Sequence, residues 1–89
     1  MRYFFHIDDG ALVPDHDGTE MESIEQARAE AVSLAGAVLR DLDGDFWGRG
    51  VNWTMHVTDE HDRLLFSLHF SAEVPSGQIT YRPGTIEGM

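Results

Sequence analysis

Two runs of strict alternation in the second half of the chain constrain its fold more than any other feature. Val51, Trp53, Met55 and Val57 alternate with Asn52, Thr54, His56 and Thr58; Leu64, Phe66, Leu68 and Phe70 alternate with Leu65, Ser67 and His69. Successive side chains of a strand point to opposite faces, so a period of two marks a strand with one buried side. The segment between the runs, Asp59-Glu60-His61-Asp62, is rich in turn-forming residues. A hairpin centred on Glu60-His61 pairs Val57 with Leu64, Met55 with Phe66, Trp53 with Leu68 and Val51 with Phe70, which puts all of these on one side. A slip of one residue would move the whole set to the other side, so the register is expected to be strongly specified.

Something must cover that side, and the chain offers one helix. Ser23 followed by Gln26 matches a capping box, and Ile24, Ala27, Ala31, Leu34, Ala35, Val38, Leu39 and Leu42 follow at helical spacing. A helix is predicted from about Ser23 to Asp43, stopped by Gly44. Ile24, Ala31, Leu34, Val38 and Leu42 are expected to meet the sheet. Residues 2–8 read as a further strand, with Tyr3, Phe5 and Ile7 on one face and Phe4, His6 and Asp8 on the other. Ala11-Leu12-Val13, stopped by Pro14, is expected as a short second strand, and Asp15-His16-Asp17-Gly18 is turn chemistry. The fold class is therefore α+β: two layers, one helix on a three- to four-stranded antiparallel sheet, in the order β-(β)-α-β-β. Residues 1–70 form a single domain. Residues 71–89 form a C-terminal tail with room for one short extra strand through Ile79 and Tyr81.

Charge narrows the function classes. The 89 residues include sixteen acidic and six basic ones, all Arg, for a net charge of −10. Such a field repels nucleic-acid phosphates and anionic membranes, so neither partner is expected. Lysine and cysteine are absent, which removes Schiff-base chemistry, thiolate nucleophiles and disulfides. No segment reads as a secretory signal or a membrane span, so a cytoplasmic location is expected.

The opening Arg2-Tyr3-Phe4-Phe5-His6-Ile7, with Gly10 and Asp17-Gly18-Thr19-Glu20, resembles that of a family of short bacterial proteins. The likeness continues through Gln26-Ala27-Arg28-Ala29-Glu30-Ala31, the step Val57-Thr58-Asp59-Glu60, then Arg63-Leu64-Leu65 and Phe70. That family, found mainly in alphaproteobacteria, is domain of unknown function 6894, and the resemblance spans about residues 2–70. The family usually has Gly where this chain has Asp62, a residue that also tolerates left-handed backbone. The resemblance implies a fold and no catalytic residue.

His6, His56 and His69 fall on the sheet face away from the helix. In the expected register His69 pairs with Asn52, which separates it from His56 by ~13 Å at ~3.3 Å per residue. That is too far for those two to share an ion, while His6 could approach one of them, depending on strand order; no metal or other cofactor is expected. The acidic clusters beginning at Asp15 and Asp41 fail the calcium-loop pattern at its sixth and twelfth positions. Ser67 and His69 lie two apart on one face with no nucleophile elbow, so no enzymatic activity is expected. The face that carries Phe4, His6, His56, Leu65 and His69 is poor in charge and keeps aromatics, as interface cores do. Together with Phe46, Trp47 and Arg49 of the Gly44–Gly50 loop, it is the candidate interaction surface; the tail or a second copy is expected to cover part of it, against the alternative of a wet, mildly polar face, which antiparallel sheets commonly have. The expected function is a non-enzymatic protein-interaction module, self-association included. The alternatives are an antitoxin-like or regulatory protein with a basic protein partner, and a metal or small-molecule binder.

Overall fold

The computed structural model describes residues 1–42, 47, 52–78, 80 and 81. The elements run β1 (Arg2–Asp8), β2 (Leu12–Val13), β3 (Thr19–Glu20), α1 (Ile24–Leu42), β4 (Trp53–Thr58) and β5 (Leu64–Phe70). They build a five-stranded antiparallel sheet in the order β2-β1-β4-β5, with β3 also paired to β1, under one helix. This is the predicted α+β architecture with one strand more, since two-residue β3 carries no periodic signal. The predicted helix stop at Gly44, the strand position Val51, Ile79, and Phe46 and Arg49 lie outside the described residues. Gln78, Thr80 and Tyr81 are described and form no strand, and Tyr81 is exposed.

The helix starts as its sequence dictates. The Ser23 hydroxyl accepts the Gln26 N–H at 3.2 Å, and the Gln26 side chain reaches back to accept the Glu22 N–H at 2.9 Å. The first bond satisfies a donor that a helix N-terminus leaves open; the second ties the residue before the cap to the first turn, one position upstream of the usual capping-box bond. The buried line of α1 is Ala27, Ala31 and Ala35, flanked by half-buried Ile24, Val38 and Leu42. The sheet supplies the bulk: Tyr3, Phe5, Trp53, Met55 and Val57 are all buried. Small helix residues let the backbone settle close onto these large ones. Leu34, expected in the core, is instead 36% exposed. It precedes Ala35 and so points ~100° around the helix from the buried line.

The hairpin corrects the expected register. Trp53 pairs with Phe70, Met55 with Leu68 and Val57 with Phe66, a shift of two residues from the pairing expected. Two single-residue steps compose it. The turn is centred on His61, not between Glu60 and His61: the Asp59 N–H donates to the Arg63 carbonyl at 3.1 Å, and Asp62 takes left-handed backbone at φ 61°. That step alone would turn the apolar set outward. An irregularity between Val57 and Thr58 then sets Thr58 opposite Leu64 and leaves Leu65 as an extra residue. The second step restores the parity, and Phe66, Leu68 and Phe70 return to the helix side. Leu64 does not return with them. It shares the face of its partner Thr58 and is 61% exposed, not packed in the core as expected.

The sheet face away from the helix as candidate functional site

The side of the sheet away from α1 is organised in cross-strand rows. Phe4, Thr58 and Leu64 form one row, His6, His56 and Ser67 the next, and Asp8, Thr54 and His69 the third. The face thus grades from an apolar end, which includes Leu65, through a histidine and hydroxyl centre to a polar end.

Each histidine of the face has a partner. The His6 Nδ1 accepts the Asp15 N–H at 3.0 Å. A backbone amide is an obligatory donor, so Nδ1 carries no proton and the Nε2–H donates to the Thr58 hydroxyl at 3.0 Å. His56 Nδ1 lies 2.8 Å from the Ser67 hydroxyl, and His69 Nδ1 lies 3.3 Å from the Thr54 hydroxyl. The two-residue register shift brings the His56 and His69 rings to 6.5 Å, nearly perpendicular, which overturns the ~13 Å separation expected from strand spacing. Among the described residues no group of three or more His, Asp or Glu is arranged to hold a metal ion. The Ser67–His56 pair replaces the Ser67–His69 pair considered in the sequence. Among the described residues no carboxylate is hydrogen-bonded to His56.

The loop that carries the Asp15–Gly18 turn closes over part of this face. Residues 14–18 bridge β2 and β3 along the outer side of β1, and Asp15 is their hub. Its carboxylate accepts the N–H groups of Phe5 (3.1 Å), Asp17 (3.1 Å) and Gly18 (3.0 Å). Partial burial works to raise the Asp15 carboxyl, but the donors from Gly18, Phe5 and Asp17, with His6 nearby, outweigh it and hold it below the usual carboxylate range. Gly18, at φ 72°, lies against Phe4; a Cβ there would come within 2.7 Å of the Phe4 ring. Phe4 and His6 are half-buried in consequence, with rings stacked at 6.4 Å. The turn chemistry of Asp15 to Gly18 was legible, but not its long-range contact with β1.

A second aspartate organises the far end. Asp59 is 1% exposed, and its carboxylate accepts the N–H groups of His61 (2.8 Å) and Arg63 (3.0 Å) and the Arg63 Nε–H (2.9 Å). Burial works to raise its pKa, yet these donors and the guanidinium charge outweigh it and hold it low. Of the expected surface residues, His56 is half-buried, Leu65 is 37% exposed, His69 is exposed and Trp47 is 62% exposed. Sequence reasoning missed Leu64, Asp15, Gly18 and Asp59; an Asp two to four residues before its N–H donors is the signal that marks both hubs.

Helix, sheet order and open face define a small two-layer α+β domain with its helix on one side of an antiparallel sheet. A family model described as Domain of unknown function (DUF6894) matches residues 2–71, and the chain belongs to that family. No curated protein and no solved structure matches it. Among the described residues no helix is long and apolar enough to cross a membrane.

Proposed function

We propose that the chain is a non-enzymatic, cytoplasmic protein-interaction module of a bacterial cell that takes up a partner by strand addition along the outer edge of β5. One observation carries this reading. The order β2-β1-β4-β5 leaves seven-residue β5 unpaired on its outer side among the described residues. Its Leu64 and Leu65 are exposed and its Phe66, Leu68 and Phe70 half-buried, while their β4 neighbours Trp53, Met55 and Val57 are buried. An unprotected apolar edge offers backbone donors and acceptors as a template for another strand. No charged residue falls between Leu64 and Ala72, in a chain of net charge −10.

That acidity supports a second reading within the same class, a regulatory protein whose partner strand is flanked by basic residues. Hydrogen exchange distinguishes them. Synthetic octapeptides of alternating Val and Thr, ended by Arg or by Glu, are added in millimolar amounts to low-micromolar protein. Strand addition slows exchange across residues 64–70 with either peptide, and a basic partner is favoured if the Arg-ended one binds at least about tenfold more tightly. Unchanged exchange at 64–70 with both peptides removes the proposal.

A further inference from the structure

We infer that the strand added to β5 is β5 of a second copy, paired antiparallel about a two-fold axis at Leu68; this rests on the strand-addition reading and names its partner. A two-fold contact requires a surface complementary to itself. The segment Phe66-Ser67-Leu68-His69-Phe70 has that property. Reversed about Leu68, it sets Phe66 against Phe70 of the second copy, Leu68 against Leu68, and Ser67 against His69. Direct cross-strand partners share a face. Both Phe–Phe contacts and the Leu–Leu contact therefore fall on the helix side, where Phe66, Leu68 and Phe70 are half-buried in the single chain. Both Ser67–His69 contacts fall on the open side and repeat the hydroxyl–imidazole pairing that Ser67 already makes with His56 at 2.8 Å.

Charge follows the same register. Two chains of charge −10 repel, but the strip from Leu64 to Ala72 contributes nothing to that repulsion. Counting outward from Leu68, Arg63 stands opposite Glu73 of the second copy; its Nε is held by Asp59 at 2.9 Å, but the side chain is 69% exposed and can take a second carboxylate. The opposite side of the sheet has no such symmetry: β2 and β3 occupy it with two residues each.

The chain has no cysteine, which makes single-cysteine variants a direct test. Across the two-fold axis the Leu68 Cα atoms approach to ~4.5–5.5 Å, within disulfide range. The two Leu64 positions are offset along the strands by ~26 Å. Leu68→Cys should cross-link under mild oxidation at least about tenfold faster than Leu64→Cys. Should Leu68→Cys fail to fold by circular dichroism, an equimolar mixture of Ser67→Cys and His69→Cys should cross-link faster than either alone. The unmodified chain should sediment as a dimer at high micromolar concentration. A monomer at all concentrations, or cross-linking of Leu68→Cys no faster than of Leu64→Cys, overturns the inference. If the octapeptides still protect residues 64–70 in that case, the edge takes strands from other proteins and the strand-addition reading stands without it. If they do not, both fall.

Discussion

The sheet has two long sides, and the chain treats them oppositely. Along the outer side of β1, two short strands and an aspartate-centred loop occupy the backbone: β2 pairs at Ile7 and Asp8, β3 pairs at Arg2 and Tyr3, and Asp15 takes the Phe5 N–H between them. Along the outer side of β5, nothing among the described residues does the same. The closed side shows devices proteins use against unwanted pairing, namely very short strands, a proline and charged side chains. Leu64–Phe70 contains no proline and no charge. Among the described residues one edge of the sheet is closed and the other is not, and that contrast is the physical basis of the interaction proposal.

The largest effect that sharpens this contrast compares cross-strand partners. Met55 and Leu68 face each other on the helix side, yet Met55 is 1% exposed and Leu68 is half-buried. Met55→Ala should cost about 3 kcal/mol and Leu68→Ala about 1–1.5 kcal/mol by denaturant unfolding of the monomer. Equal losses would mean that β5 is not an edge. On the closed side, Asp15→Ala removes the acceptor of three backbone donors. It should cost about 2 kcal/mol, discounted for the loop's partial exposure, and should speed exchange of the Phe5 amide. A substitution without effect on that amide would show that the loop does not guard the edge.

Acid should open both ends of the sheet. Asp15 and Asp59 are each held below their ordinary value in the fold, so the unfolded chain binds protons more readily. The stability they contribute is present above the unfolded carboxylate value of about 4 and is lost as pH falls through the lower folded values. Unfolding followed from pH 6 to pH 2 should show this loss, reduced in Asp15→Asn. The smallest effect is expected at Leu34: Leu34→Ala should cost less than about 1 kcal/mol because the side chain is already partly in water. A loss of 3 kcal/mol or more, as at buried leucines, would return Leu34 to the core.

Alternation identified which residues of β4 and β5 face the helix, because face assignment depends on parity. It could not identify the register, because a shift of two residues preserves parity. A turn displaced by one residue and an extra residue at Leu65 therefore left the pattern intact while moving every pair. The same arithmetic hid the approach of His56 to His69. Leu34 is misplaced because periodicity favours bulky residues, whereas the fully buried line of the helix is alanine, with Ile24, Val38 and Leu42 flanking it. Phe4, His6, His56 and His69 were legible as one face from strand period alone. Their cover was not, because the contacts of Asp15 with Phe5 and His6 depend on where the loop lands on β1.

The Asp59 turn also bears on the order in which this chain folds. Five hydrogen bonds join residues within the 59–63 segment. Closing so short a loop has a small entropic cost, whereas pairing Phe5 with Val57 requires half the chain to be gathered first. The β4–β5 hairpin is therefore expected to form first, with β1 condensing on it late. In chevron analysis, conservative changes at residues 59–63 should mainly slow refolding, and those at the β1–β4 seam should mainly hasten unfolding.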